Sequence, residues 1–269
     1  MAEKLNIAII GAGNLGVAIA KGIAGAGITK PENIWLTRRH LDKLTALEKQ
    51  NFNLTADNKK AVKEAEFLFL CVQPKQLPEV LEEIKTELDS GRHVLISTIT
   101  GVEIDSIKKQ LGISVPVVRA MPNTAIAIGE SMTCLCSENA SQEQLKEVQR
   151  MFKALGETLI IEENLMKAAT VLAASGVAFF LRYIRAATQG GIQLGFHAEE
   201  AQKIAMQTAR GAASLLVEGG NHPETEIDKV TTPQGCTIAG LNEMEHQGLS
   251  SALIKGILAS YEKINGITE

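Results

Sequence analysis

The 269-residue chain is 45% hydrophobic and 22% charged, with a formal net charge of -4. That length can bury one large core or two moderate ones, and the balance of apolar and charged residues excludes an intrinsically disordered chain. The pI is near 5.8 and no long Lys/Arg block is present, so a phosphate backbone has nothing to follow and no nucleic-acid partner is expected.

The N-terminal residues Met1 to Lys4 lead straight into a short apolar run, without the basic start and longer apolar stretch of an export signal. The longest uninterrupted apolar runs, such as residues 67–72, fall far short of a membrane span. A cytoplasmic chain with no membrane partner is therefore expected. Residues 5–10 form a continuous apolar run, the pattern of a strand covered on both faces. Residues 14–26, rich in Ala, Ile and Val, predict a helix. Residues 34–37, 67–72, 94–98 and 115–121 read as strands, the third and fourth separated by a helix over 104–111 that ends at Gly112. Helical spacing recurs over 77–88, and a helix over 141–155 lies between strands at 131–136 and 158–161. Such alternation implies βαβ units and a parallel sheet.

The pattern changes after Glu163. Residues 165–194, 197–218, 237–246 and 250–265 all fit helical spacing, and Gly219 to Pro223 reads as a breaker. The expected architecture is α/β, with a dinucleotide-binding domain over 1–163 followed by an all-α domain over 164–269. The apolar surface of those last helices exceeds what a small isolated bundle covers, so a homodimer or a higher homo-oligomer is expected. Four cysteines (Cys71, Cys134, Cys136, Cys236) form no Cys-x-x-Cys pair. They read as reduced core thiols, and no metal site is expected. His40, His93, His197, His222 and His246 fall in surface or loop positions and read as solvated.

The first strand runs into Gly11-Ala12-Gly13-Asn14-Leu15-Gly16, which opens the first helix. In this Rossmann-type fingerprint Gly11 permits the tight turn, Gly13 lets backbone approach a pyrophosphate, and Gly16 allows close helix–strand packing. The helix N-terminus then attracts the anion. About 20 residues on, where an NAD-binding chain carries a carboxylate for the ribose 2′-hydroxyl, this chain has Thr37, Arg38 and Arg39. Two guanidinium groups would hold a 2′-phosphate, so NADP is the expected cofactor, with NAD possible. Asn58 precedes a helix and reads either as a cofactor contact or as an ordinary N-cap. Cys71, Val72, Gln73 and Pro74 end the next strand at the sheet edge where a cofactor lies, and Met121 and Asn123 follow a later strand toward the same edge.

Four features in order resemble one family: Gly11 to Gly16, Cys71-Val72-Gln73-Pro74, Met121-Pro122-Asn123-Thr124, and the segment from Thr231 through Pro233-Gln234-Gly235 and Thr237 to Leu241. Together they resemble pyrroline-5-carboxylate reductase over essentially the whole chain. The resemblance implies reduction of 1-pyrroline-5-carboxylate to L-proline with NADPH or NADH, by dimers whose helical C-terminal domains interlock. It implies Thr237 as the group that meets the imine nitrogen. Ser175, Gly176, Thr232, Gly235, Cys236 and Thr237 are then the expected substrate contacts. The backbone N–H groups of Gly235, Cys236 and Thr237 offer an anion site for the substrate carboxylate. A plain N-cap is the alternative reading of Thr237.

This chain departs from the family pattern at Ala174-Ser175-Gly176-Val177-Ala178-Phe179, where Gly-Ser-Gly-Pro-Ala-Tyr is usual, and at Gln234, where a Gly is usual. Gln73 stands for a common Lys, and Ala125 for a common Pro. Two other readings stand beside the leading one: a reductase of a different cyclic imino acid, and a non-catalytic NADP-sensing protein.

Overall fold

The computed structural model describes residues 5–265 of the chain. It divides into two compact units, one holding the chain up to Ser175 together with the segment from Tyr261, the other holding Gly176–Ser260.

The first unit is built on one eight-stranded sheet. Its strands are β1 (Ile7–Ile10), β2 (Ile34–Thr37), β3 (Asn53–Thr55), β4 (Phe67–Leu70), β5 (Val94–Ser97), β6 (Val117–Met121), β7 (Ser131–Glu138) and β8 (Gly156–Ile160), in the order β3-β2-β1-β4-β5-β6-β7-β8. The apolar runs that suggested two-sided burial sit at the centre, and every residue of β1, β4 and β5 is buried. Each fully buried Ile, Leu or Phe there contributes about 1.5–3 kcal/mol. Helices α1 (Asn14–Gly25), α2 (Thr45–Glu48), α3 (Asn58–Glu64), α4 (Leu77–Ile84), α5 (Ile104–Leu111) and α6 (Gln142–Lys153) connect the strands, and their buried faces divide between two hydrophobic clusters that hold alternate strand residues.

The sheet is parallel except at one pair. β7 runs antiparallel to β6, while β8 returns parallel to β7. Between Met121 and Ser131 the chain has only a short 3-10 turn over Thr124–Ile128. That is too short for the crossover a parallel neighbour requires, so the strand folds straight back. Strand β3 was not expected from the sequence. It is three residues long, lies at the sheet edge and includes polar Asn53 and Thr55, so no periodicity marks it. His93 was expected in solvent and is 1% exposed. Its Nδ1 accepts the Asp89 N–H at 2.8 Å, and Nε2 faces the Val62 carbonyl at 3.2 Å.

Past Glu163 the described chain is helical: α7 (Met166–Ala169), a π-helical turn over Thr170–Ser175, α8 (Gly176–Gln193), α9 (Ala198–Gly219), α10 (Pro223–Val230), α11 (Cys236–His246) and α12 (Leu249–Asn265). Helix α10 was hidden by reading Pro223 as a breaker. Pro223 is instead the first residue of the helix, where its missing N–H costs nothing. The segment Glu163–Gln193 has mean hydropathy 1.5 over 18 residues and that window is 22% buried. By length and composition it could cross a bilayer, which a search for unbroken apolar runs misses because Ala, Thr and Gly dilute the pattern.

Within the second unit, a Cβ on Gly191 would lie 2.9 Å from Ala201 Cβ, so α8 and α9 approach closely at that point. Only Gly176 and Ala201 are buried among its described residues. Phe180, Leu181, Tyr183 and Leu194 on or just after α8, Val217 on α9, and Ile254 and Leu258 on α12 are all more than half exposed. The unit has no core of its own that would account for so much apolar surface.

Candidate functional site

Strand order reverses between β1 and β4, and in open α/β sheets ligands bind in the crevice at the carboxyl ends beside such a reversal. A cavity of about 500 Å³ opens there. It brings together Gly11, Ala12, Gly13, Thr37, Arg38, Arg39, Asn58, Cys71, Val72 and Gln73. Asn14, Leu15, Gly16, Pro74, Met121 and Asn123, also expected to contact the cofactor, do not line it.

The turn after β1 has clear steric requirements. Gly11 has φ +94°, and a Cβ on it would lie 2.9 Å from the Cys71 carbonyl oxygen. A Cβ on Gly16 would lie 2.7 Å from Ile9 Cγ2, so α1 rests directly on β1. Over Gly13 there is open space instead, with nothing within 4 Å of where its Cβ would be. Thr37 supports the turn from β2: its hydroxyl accepts the Gly11 N–H at 3.3 Å and its carbonyl accepts the Ala12 N–H at 2.8 Å. Arg38 Nη1 donates to the Ala12 carbonyl at 3.1 Å, which fixes one edge of the guanidinium across the mouth of the glycine turn. A glycine-lined approach with two guanidinium groups at the end of β2 suits a dinucleotide carrying an additional phosphate.

Asn58 does not cap α3. Asp57 is the N-cap and accepts the Lys60 N–H at 3.1 Å, while Asn58 Nδ2 donates to Glu83 Oε2 at 2.8 Å across the cavity wall. Glu83 belongs to a group of lining residues that sequence reasoning missed, together with Gln76, Glu79 and Val80 from the head of α4. The spacing of Glu79 and Glu83, one helical turn apart, was the available signal. Cys71 also lines the wall, and burial pushes its thiol pKa up to about 12 against an opposing hydrogen bond from Thr98. It is a neutral wall residue at physiological pH. Cys134 and Cys136 are buried in β7, where burial raises both and takes Cys136 to about 11. Cys236 is exposed and so is not a core thiol. Among the described residues no His/Cys/Asp/Glu group could hold a metal.

In the second unit, Thr232 to Thr237 form a turn into α11. The Gly235 N–H is engaged with the Thr232 carbonyl at 3.0 Å, so the N–H groups offered at the helix head are those of Cys236, Thr237 and Ile238. Gly235 is the N-cap and provides no side chain for it. Thr237 is the second helical residue, which removes the cap reading of its hydroxyl. Gln234 has φ +59°, a left-handed conformation that Gly adopts without strain, at the position where the sequence departs from the Pro-Gly-Gly pattern. A side chain there costs of order 1–2 kcal/mol. Ser175 closes the π-helical turn of the first unit, and Gly176 begins the second unit.

Residues 163–267 match the family model for pyrroline-5-carboxylate reductase dimerisation, and residues 6–101 match that for NADP oxidoreductase, coenzyme F420-dependent. The chain is 47% identical to pyrroline-5-carboxylate reductase 2 of Dictyostelium discoideum, over 96% of this chain and 91% of that protein. It is 47% identical to reductase 1 of the same organism over 96% of its own length, but spans only 49% of that longer protein. The structure of a pyrroline-5-carboxylate reductase from Coxiella burnetii, 29% identical, superposes with a TM-score of 0.94 and covers 99% of this chain and 100% of that one.

Proposed function

Because the chain belongs to the pyrroline-5-carboxylate reductase family, we propose that it reduces 1-pyrroline-5-carboxylate to L-proline with NADPH as the preferred hydride donor and NADH as an alternative. When bound, the nicotinamide supplies the hydride that the imine carbon accepts, and a proton completes the ring nitrogen as a secondary amine. The protein's own contribution is anchoring and placement. The Gly11–Gly13 turn receives the pyrophosphate, and Arg38 and Arg39 read the 2′-phosphate. In the second unit, the N–H groups of Cys236 and Thr237 hold the substrate carboxylate, and the Thr237 hydroxyl donates to the imine nitrogen. Fixing the ring at attack distance lowers a barrier by up to about 7–11 kcal/mol.

The observation that carries this reading is the cavity at the β1/β4 reversal, with open space over Gly13 and two arginines at its rim where an NAD-type carboxylate would stand. We place the active form as a cytoplasmic homodimer, its exposed α8, α9 and α12 surfaces covered by a second copy rather than by lipid. Spectrophotometric NADPH oxidation with 1-pyrroline-5-carboxylate, beside six-membered and 2-carboxylate cyclic imines, tests the function. No oxidation with any imine would leave the NADP-sensing alternative, and a preference for another ring would reassign the substrate.

A further inference from the structure

Asn123 ends the loop after β6, and each of its polar groups has a protein partner. Its backbone N–H donates to Ser131 Oγ at 3.1 Å. Ser131 is 1% exposed, and its hydroxyl shares a hydrogen bond with the fully buried Thr133 hydroxyl at 3.2 Å. The Asn123 side-chain oxygen accepts the Ala125 N–H at 2.9 Å and caps the Thr124–Ile128 turn. Its Nδ2 donates to the Ala173 carbonyl at 3.1 Å, fifty residues away in the chain.

Ala173 lies inside the π-helical turn Thr170–Ser175. A π turn admits an extra residue between successive hydrogen bonds and is seldom retained without a reason. Here it has two supports. Thr170 Oγ1 bonds back to the Met166 carbonyl at 2.8 Å where the turn begins, a contact that bends helices. Asn123 then takes a carbonyl from within the turn, which is the kind of insertion that stabilises a local departure from α-helical geometry. The last residue of that turn is the half-buried Ser175.

We propose that Asn123 is a positioning residue for the substrate side of the site: it holds the π turn open and thereby sets where Ser175 stands, and it does not touch the cofactor. This rests on the proposed imine reduction and on Ser175 as a substrate contact. Both ends of the Asn123 amide are engaged by protein, and the residue does not line the dinucleotide cavity. Asn and Asp differ at this position in one respect that matters. Asp keeps an acceptor for the Ala125 N–H but loses the donor to Ala173, and it sets a carboxylate against a carbonyl.

The experiment compares wild type, Asn123→Asp and Asn123→Ser. The serine retains a capping hydroxyl, cannot reach Ala173, and keeps the test open if the Asp variant does not fold. Four quantities are read: KM for 1-pyrroline-5-carboxylate, kcat, NADPH Kd by fluorescence titration, and amide hydrogen exchange across Thr170–Ser175. Loss of one positioning hydrogen bond should raise the imine KM about tenfold. Exchange in the π turn should quicken, with NADPH Kd held within about twofold. An imine KM equal to wild type in either folded variant overturns the proposal, as does unchanged exchange in the turn. A loss of NADPH affinity matching the rise in KM overturns it too, because Asn123 would then be a cofactor contact. Wild-type enzyme that turns over no imine overturns the functional reading, and this inference with it, whereas an active variant with unchanged KM overturns the inference alone.

Discussion

Arg119 Nη1 lies 2.8 Å from Glu163 Oε1, and that same oxygen accepts the Ile104 N–H at 2.8 Å. One carboxylate thus ties β6, the head of α5 and the start of the helical segment together. Arg119 is 4% exposed, so its charge has little water to fall back on. Removing the partner of a buried charge is much more costly than the pair's net contribution. Glu163→Gln keeps an acceptor for Ile104 and leaves the guanidinium without a counter-charge. It should lose about 1–3 kcal/mol in urea denaturation. Glu163→Ala should lose more, toward ~3–5 kcal/mol. Wild-type midpoints in both variants would show that the pair contributes nothing net.

Arg38→Ala, alone or with Arg39→Ala, should weaken NADPH more than NADH. Arg38 is held at the glycine turn through the Ala12 carbonyl, which leaves the rest of its fork for a phosphate. A charged contact of this kind is worth about 1.5–3 kcal/mol, so a loss of tenfold or more in NADPH affinity is expected by titration. Equal losses for both nucleotides would show that the arginines do not discriminate between them.

His93 predicts an acid limb to stability. Burial, reinforced by the charge of Arg92, holds its pKa below the ordinary 6.5. The ring accepts from Asp89 through Nδ1, so the neutral form carries its proton on Nε2 toward Val62. The folded state therefore binds this proton less readily than the unfolded chain. Its contribution is fully present above pH 6.5 and is lost as pH falls from there through the folded-state pKa, with a slope of up to about 1.4 kcal/mol per pH unit. His93→Asn should flatten that limb in denaturation curves taken across the range. An unchanged slope would assign the limb to other groups.

The exposed faces of α8, α9 and α12 predict a dimer that persists at low micromolar concentration, with a mass near twice 28.9 kDa by light scattering. A stable, fully active monomer would refute this. Partition into detergent or lipid vesicles in place of dimerisation would assign the apolar segment Glu163–Gln193 to a membrane.

Central strands were legible in the sequence because a continuous apolar run such as Phe67 to Leu70 has few other uses. Gly11 to Gly16 were legible because Gly11 and Gly16 each meet a steric demand while Gly13 leaves the approach to the turn open. What stayed hidden depended on tertiary contacts that sequence spacing does not carry. His93 looks like a loop histidine beside Gly91 and Arg92, yet its ring is drawn in by a backbone turn at Asp89. The π turn at Thr170–Ser175 takes a hydrogen bond from Asn123 of a remote loop, and Asn58 turns toward Glu83 rather than acting as a cap. The one antiparallel pair depended on loop length, which strand patterns do not record.

Thr237 is the proposed donor to the imine nitrogen. As the second residue of α11, behind the N-cap Gly235, its hydroxyl is not the helix cap, so Thr237→Ala should leave the melting temperature close to wild type. A lost cap would instead cost about 1 kcal/mol. The backbone N–H groups of Cys236 and Thr237 survive the substitution, so the proposed carboxylate anchor remains and substrate KM should change little. The hydroxyl matters most as charge develops on the ring nitrogen during hydride transfer, so the loss belongs in kcat. Removing a comparable donor from an oxyanion-type site costs ~2.7–4 kcal/mol. A smaller effect, on the order of tenfold in kcat, is expected where water can replace the hydroxyl. Thr237→Ser should restore most of it, because Ser keeps the donor and loses only a methyl group. NADPH affinity should be unchanged in both variants. Wild-type kcat with Ala at 237 would remove Thr237 from the chemistry, and a rise confined to KM would make it a ground-state anchor only.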